Sequence, residues 1–327
     1  MPSPPTDPPA RMRELLNEGR FHDVLKEFRT IEGRSVAGDV LLMAASASTR
    51  LGDLGTGSSL ASTALDRFRM RADNDGRIRS LNLLGVIAYE SGKLDEARKS
   101  FTETLRLARE MHDTTMIARS SNNLASVSYL QGDTLEALNL FRSALLSYQR
   151  LGDRRGTAES YHNLGIIFRE LEEWSDAEAA TAQAVRHAEL VGERSLLGMA
   201  ATGRAEVRLC RGEFSMARQE LSWAGRLAAE AGDELGTVEV GRVRALLALA
   251  QGEYEDAAHE AENARIAAER LNAAVLQAEC AAAAAKALRA LGRTALAEAR
   301  RSEAIRLFQA QGATRRLEQF EKVWFHQ

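Results

Sequence analysis

Arg119 and Asn123 combine residue types and a spacing that could recognise another polypeptide. They lie four positions apart, so a helix through this segment places both side chains on one face, one turn apart. An arginine guanidinium can form a forked ion pair with a carboxylate, and an asparagine amide can both donate to and accept from a peptide backbone. Together the two side chains could hold one extended segment of a partner.

Polar residues recur at corresponding places of the neighbouring segments. Asparagine is a mediocre helix former in a mid-helix position, so its recurrence there favours a recognition role over mere solubility. The alternative is a polar helix face that is simply solvated. The full set of candidate partner-binding residues is Arg79, Asn82, Tyr89, Arg119, Asn122, Asn123, Ser126, Tyr129, Glu159, His162, Asn163 and Arg169.

Catalytic motifs are missing from the sequence. There is no Gly-x-x-x-x-Gly-Lys-Ser/Thr loop, no His-Glu-x-x-His and no Gly-x-Ser-x-Gly. The glycines at 52, 55 and 57 resemble a phosphate-binding loop only superficially, because no lysine follows them, and a structural turn is expected there. The 6 histidines show no ligand spacing, and Cys210 and Cys280 fit small packing residues. We therefore expect no catalytic site, no metal and no cofactor.

Composition limits the class of partner. The 327 residues are 45% hydrophobic and 27% charged, which allows a full core and argues against global disorder. With 43 basic and 46 acidic side chains the net charge is −3, so there is no general attraction to nucleic acid or anionic lipid. No run approaches the roughly 18 apolar residues of a membrane span, and residues 1–9 lack the features of a signal peptide. We expect a soluble, cytoplasmic protein whose partner is a protein or peptide, neither nucleic acid nor membrane, with its oligomeric state open.

Small residues recur every 40 positions in four columns that keep one register. One column is glycine at six of seven positions, with Glu172 as the exception, and the other three are almost entirely alanine or glycine. Such agreement indicates an internal repeat. The columns run from 52 to 292, from 57 to 297, from 64 to 304 and from 45 to 285.

The columns indicate pairs of antiparallel helices. The glycine ends one helix, where a left-handed backbone needs no Cβ. The small residue seven positions before it and the alanine five positions after it lie on the two helices of the pair and let them approach closely. Helical periodicity of apolar residues, as at 84, 87 and 88, runs between the columns. No proline follows Pro9, so every later segment is free to be helical.

This pattern resembles the tetratricopeptide repeat family. The match is clearest at Asn123-Leu124-Ala125, Tyr129, Gly132, Ala137, Phe141 and Ala144, and again at 163–184. The 40-residue period is longer than the usual 34 and is most similar to the long-repeat subgroup of Pins/LGN adaptors, kinesin light chain and bacterial tetratricopeptide regulators. The resemblance implies an all-α, right-handed superhelical solenoid of antiparallel helix pairs. It also implies a concave groove lined by the first helix of each pair, where partners bind.

Three segments follow from these boundaries. We predict a disordered, Pro-rich tail at 1–10 and about eight helix pairs at 11–313, with turn glycines at 19, 52, 92, 132, 212, 252 and 292. A capping helix is predicted at 314–327, where Phe325 occupies a column that is small elsewhere because no second helix packs against it. Trp324 either covers the end of the core, which we favour, or offers a docking edge.

The function expected from these features is an interaction scaffold that binds a partner segment in the groove along residues 79–169. The candidates resemble the basic-plus-asparagine arrangement of peptide-binding tetratricopeptide domains. The C-terminal half departs from it, because the corresponding positions are acidic at Glu239 and Glu279 and apolar at Val243 and Ala283. The alternative is a bacterial regulatory sensor that binds a signalling peptide or response regulator, and an enzyme is the remote alternative.

Overall fold

The computed structural model describes residues 7–31 and 36–326. This part of the chain contains seventeen α-helices and no strand. Residues 1–6 of the predicted tail lie outside the described residues, and Pro8–Ala10 already belong to the first helix, because proline is tolerated in a first helical turn. The helices are α1 (Pro8–Asn17), α2 (Phe21–Ile31), α3 (Gly38–Arg50), α4 (Leu54–Met70), α5 (Asn74–Glu90), α6 (Leu94–Glu110), α7 (Thr114–Leu130), α8 (Thr134–Leu151), α9 (Arg154–Glu170), α10 (Trp174–Val191), α11 (Arg194–Cys210), α12 (Phe214–Ala231), α13 (Glu234–Gln251), α14 (Tyr254–Arg270), α15 (Ala274–Ala290), α16 (Thr294–Ala310) and α17 (Thr314–His326).

Helices α1 to α6 in unit 1 and α9 to α16 in unit 2 pack as successive pairs, and α17 follows the last pair. We call the odd-numbered members, α1 to α15, first helices and their even-numbered partners second helices. First helices also pack on one another, as in α1 with α3, α3 with α5, α9 with α11, α11 with α13 and α13 with α15. The first helices of a unit therefore form one continuous layer.

The chain divides into two compact units, Met1–Val127 and Ser128–Gln327, with the boundary in the last turn of α7. In unit 1 the apolar side chains of α1 to α4 form one cluster around Met12, Val24 and Phe28. In unit 2 a corresponding cluster forms around Leu221 and Val243. Burial of these side chains supplies most of the stabilisation of helices whose intrinsic propensity is modest.

The turns between helices are closed by backbone and by capping side chains. Asp53, Asp73 and Asp133 each accept a hydrogen bond from the backbone N–H three residues on, which satisfies a free donor at the start of a helix. The turn glycines predicted from the sequence all have positive φ, for example 93° at Gly132. Glu172 also has a positive φ, 58°, so the exception in the glycine column keeps the same backbone conformation.

The small columns mark close approaches between paired helices. A Cβ added to Gly165 of α9 would lie 2.6 Å from Cγ2 of Thr181 on α10. Ala177, the facing member of the second column, is 0% exposed. Larger side chains at either position have no space, which is the physical reason that the columns contain small residues.

Helix α17 runs across the first helices of unit 2. A Cβ added to Gly132, in the turn after α7, would lie 3.7 Å from Cβ of Arg315. At the other end of α17, the guanidinium of Arg289 lies over the ring of Trp324, 4.8 Å from its centroid. The same arginine donates a hydrogen bond of 2.6 Å to the backbone oxygen of Trp324. The helix therefore reaches from the last pair back to the first turn of its unit.

Candidate functional site

Asn82 and Asn123 bring two of the predicted positions together in unit 1. They lie on the first helices α5 and α7, and Nδ2 of Asn123 donates to Oδ1 of Asn82 at 3.3 Å. Ser126, one turn further along α7, donates to the backbone oxygen of Asn122 at 3.2 Å. All four residues are half-buried, so their amides and hydroxyl lie at the surface of the first-helix layer.

Arg119 stands one turn before Asn123 and is exposed. It forms no ion pair with any residue in the described ranges 7–31 and 36–326. Its guanidinium therefore keeps its full set of hydrogen-bond donors for another molecule. We call Asn82, Arg119, Asn122, Asn123 and Ser126 the polar face of unit 1.

Arg79 forms ion pairs with carboxylates of unit 1. Its guanidinium lies 2.8 Å from a carboxylate oxygen of Asp39 and 3.0 Å from one of Asp75. The same group stands 5.7 Å from the ring centroid of Phe68. Tyr89, at the end of α5, is half-buried. The structure thus places Arg79 in an ion pair between α3 and α5, next to the polar face.

The remaining predicted residues belong to unit 2 and are held by intramolecular contacts. Oε1 of Glu159 lies 3.0 Å from Nε of Arg155. The ring of His162 packs against α11, where a Cβ added to Gly203 would be 2.6 Å from its Nδ1. Burial lowers the pKa of His162 to about 4, against an opposing effect of Glu206. Asn163 is half-buried.

Six charged side chains form an alternating ring along the first helices of unit 2. Each carboxylate lies within 4.0 Å of two guanidinium groups, and each guanidinium lies near two carboxylates. Five members come from first helices and the sixth from α17. In order around the ring they are Arg169, Glu206, Arg242, Glu279, Arg316 and Glu170.

Glu206 is the centre of the buried part of this ring. Its carboxylate contacts Arg169 on one side and lies 3.2 Å from Arg242 on the other. Burial alone would raise the pKa of Glu206, but the two arginines outweigh burial and hold that pKa far below its usual range. Arg169, which the sequence predicted as a partner contact, is therefore committed to its own chain.

Arg316 closes the ring from α17. Its Nε lies 3.0 Å from Oε1 of Glu279, and its Nη1 lies 3.5 Å from Oε1 of Glu170. The guanidinium also covers the ring of Tyr129 at 5.2 Å from the centroid. Tyr129 in turn donates its hydroxyl to Oε1 of Glu170 at 3.0 Å, and Gln319 donates to the other oxygen.

The sequence analysis named two of the six ring members, Arg169 and Glu279, and did not identify the other four. The ring members on α9, α11, α13 and α15 are 36 or 37 residues apart, at 170, 206, 242 and 279, so the 40-residue columns do not align them. A search for alternating charges on successive first helices would have found them. Glu279, one of the acidic positions noted in the C-terminal half, is neutralised by two arginines.

The described residues offer little support for a metal site or a reactive thiol. The described residues contain no group of three potential metal ligands. Burial raises the pKa of the Cys280 thiol to about 12, which keeps it protonated. A cleft of about 810 Å³ lies beside Trp174 and Cys210, and the carboxylate of Glu178 in its lining is paired with Arg211. Among the described helices, none has the length and apolar character needed to cross a membrane.

Comparison with known proteins identifies the repeat. Tetratricopeptide-repeat profiles match residues 77–114 and 116–190, so the chain carries tetratricopeptide repeats. No curated protein matches the sequence.

Solved structures similar to this chain include several Rap proteins. One is a Rap protein complexed with Competence and Sporulation Factor, with 13% identity, 96% of this chain and 85% of that chain covered, and a TM-score of 0.73. Another is the Rap conjugation gene regulator of the plasmid pLS20 in complex with the Phr* peptide, with 16% identity, coverage of 94% and 78%, and a TM-score of 0.67. The apo form of RapI aligns at 15% identity over 84% of this chain and 98% of that chain, with a TM-score of 0.69. At these identities the likeness establishes the fold, an all-helical repeat solenoid.

Proposed function

We propose that this chain is an interaction scaffold that binds a segment of a partner protein or a peptide on the polar face of unit 1. One observation carries the proposal. Of the three arginines predicted as partner contacts, Arg79 and Arg169 are held by carboxylates of the chain, whereas Arg119 is exposed and forms no ion pair among the described residues. A guanidinium that its own chain leaves unpaired is available to a partner carboxylate.

The neighbouring amides suit an extended backbone. Asn82 and Asn123 satisfy each other with a single hydrogen bond of 3.3 Å, which leaves further donors and acceptors on both amides. Together with Arg119 they fit a peptide segment that carries a carboxylate next to accessible backbone groups. Binding without catalysis is the function these groups support, and we assign the chain to the long-repeat, 40-residue subgroup on the basis of its period.

The similar structures support the class of ligand. Two of the Rap structures contain a peptide or factor, and one is described as a conjugation gene regulator. A regulatory sensor is therefore the second candidate function. Small-angle scattering separates the two, since a sensor changes its dimensions when a peptide binds and a passive scaffold keeps them.

A displayed random-peptide library selected on the wild-type chain supplies a ligand for the test. Hydrogen–deuterium exchange with a selected peptide should then show slower exchange in α5 and α7, because bound backbone covers their exposed face. Protection confined to second helices such as α6 would contradict the proposal. A peptide enriched in Asp or Glu would agree with the chemistry of Arg119.

A further inference from the structure

The ring of charges in unit 2 is complete only because α17 supplies one member. Without Arg316, the first helices contribute Arg169 and Arg242 against three carboxylates of the ring, and Glu239, 2.7 Å from Arg242, adds a fourth. The face formed by Tyr129, Glu170 and Glu279 would then carry uncompensated negative charge at sites with little solvent. Leaving such a carboxylate unpaired is costly, so this face requires a cation.

The geometry around that cation selects a guanidinium over an ammonium. Two carboxylates approach different nitrogens of Arg316, and the flat face of the group lies over the ring of Tyr129. A planar, forked donor satisfies three partners of this kind at once, whereas a lysine ammonium is a point charge. We call Tyr129, Glu170 and Glu279 the arginine site of unit 2.

Arg316 is an imperfect occupant of this site. Its Nε is buried and lies 3.0 Å from Glu279, yet its N–H does not point at that oxygen, so the contact is an ion pair without an aligned hydrogen bond. The contact with Glu170, at 3.5 Å, is longer than an optimal charge-assisted hydrogen bond. An arginine that approaches freely can satisfy both carboxylates better than one fixed on α17.

Few of the α17 side chains whose exposure the structure describes are buried. Phe320 is the one fully buried residue of α17 among those whose exposure the structure describes, whereas α15 buries eight residues. Other contacts of α17 with its unit, among the described side chains, are polar at Arg316 and Gln319 and aromatic at Trp324.

We propose that the arginine site of unit 2 binds an arginine-bearing helical segment of a partner protein, and that α17 is an internal occupant which this segment displaces. The site goes beyond the function proposed for unit 1, since it uses other residues and the opposite ligand charge. Because α17 is tethered, it acts at an effective concentration on the order of millimolar, so an external segment competes only when its own contacts are better or when α17 is weakened.

The probe for this proposal is a fluorescent synthetic peptide with the sequence of residues 313–327, Ala-Thr-Arg-Arg-Leu-Glu-Gln-Phe-Glu-Lys-Val-Trp-Phe-His-Gln. Its affinity is measured by fluorescence anisotropy for three full-length chains: wild type, Arg316→Ala and the matched control Arg315→Ala. We expect the peptide to bind Arg316→Ala at least about tenfold more tightly than the other two, the effect of one lost contact worth about 1.4 kcal/mol in the tethered helix.

A second peptide carrying alanine in place of the residue equivalent to Arg316 tests the chemistry. It should bind Arg316→Ala at least about tenfold more weakly than the first peptide, whereas equal affinity of the two peptides would show that apolar side chains direct docking, which overturns the proposal. Equal affinity of the first peptide for all three chains, or no binding to any, would make α17 a permanent part of the fold and would also overturn it.

Two further measurements keep the test decisive. If circular dichroism shows that Arg316→Ala is unfolded, Arg316→Lys retains the positive charge while losing the fork, and the same tenfold criterion against Arg315→Ala applies to it. Light scattering on the wild type shows whether a second copy supplies the occupant. A monomeric wild type agrees with the proposal. A wild-type dimer that dissociates in the Arg316→Ala variant would show that α17 is exchanged between two copies of the chain, which would overturn the proposal.

Discussion

Glu172 holds the same left-handed backbone conformation as Gly212, the residue one repeat later, with φ of 58° and 77°. The two residues occupy equivalent turns after the first helices α9 and α11. A side chain with a Cβ is strained in this conformation by roughly 1–2 kcal/mol, and glycine is not. The repeat therefore imposes its turn on a residue that does not favour it.

Glu172→Gly should stabilise unit 2. Relief of backbone strain outweighs the added entropy of the unfolded chain, so we expect a gain of roughly 0.5–1 kcal/mol in the free energy of unfolding. Chemical denaturation measures it. The reciprocal variant Gly212→Glu should lose about 1 kcal/mol, and a loss of stability in Glu172→Gly would refute this account of the turn.

Gly165→Leu should destabilise the chain by roughly 1–3 kcal/mol, because a larger side chain at the close approach to Thr181 forces α9 and α10 apart. Ala177→Leu should have a similar effect from the other side. Gly198→Ala is the control, since a Cβ there meets its nearest atoms at 3.6 Å, an ordinary contact distance. Thermal melts of Gly165→Leu and Ala177→Leu that coincide with wild type would show that the assigned register is wrong.

Glu206→Gln should be the most destabilising single change in the charge ring. It removes the charge between Arg169 and Arg242, whose side chains are 10% and 12% exposed. Arg169 is then paired with Glu170 alone, and Arg242 keeps Glu239 and Glu279 but loses its contact with Glu206. We expect a loss of about 3 kcal/mol in urea denaturation. The control Glu159→Gln breaks an ion pair with Arg155, which is 57% exposed, and should change stability by less than about 1 kcal/mol.

His162 makes stability depend on pH. Burial lowers its pKa from 6.5 to about 4, so between these values the unfolded chain binds a proton that the folded chain does not. Stability therefore falls as pH falls through this window, by about 2 kcal/mol between about pH 7 and pH 5. The difference between wild type and His162→Gln isolates this contribution from other groups. A pH dependence identical in both chains would contradict the burial of His162.

The repeat could be predicted from the sequence because its signal is local. Columns of small residues at 40-residue spacing report helix pairs and turns directly, and even Glu172 keeps the conformation that its column predicts. The first helix shows the limit of such reasoning. Its start at Pro8 lies within the segment predicted as a tail, since a proline signals both disorder and a first helical turn.

The sequence did not predict which charged side chains form ion pairs within the chain. Arg79, Arg119 and Arg169 look alike as exposed positions of successive first helices, yet only Arg119 forms no ion pair among the described residues. What separates them is a partner carboxylate on a neighbouring helix, 40 residues away for Arg79 and 37 for Arg169. The approach of Arg316 to Glu170 spans 146 residues of sequence and leaves no periodic signal.

The affinity of a selected peptide for the double variant Arg119→Ala and Asn123→Ala tests the central claim most directly. Each lost contact should weaken binding by about 1–3 kcal/mol, with the two effects not strictly additive, and the arginine component should weaken further with added salt. Loss of the Asn123–Asn82 hydrogen bond should cost no more than about 0.5–1.5 kcal/mol of stability, so the double variant stays folded. The control Thr102→Ala and Arg109→Ala, on an exposed face of α6, should leave both affinity and melting temperature unchanged. Binding to the double variant that is as tight as binding to wild type would contradict the account and place recognition outside the polar face of unit 1.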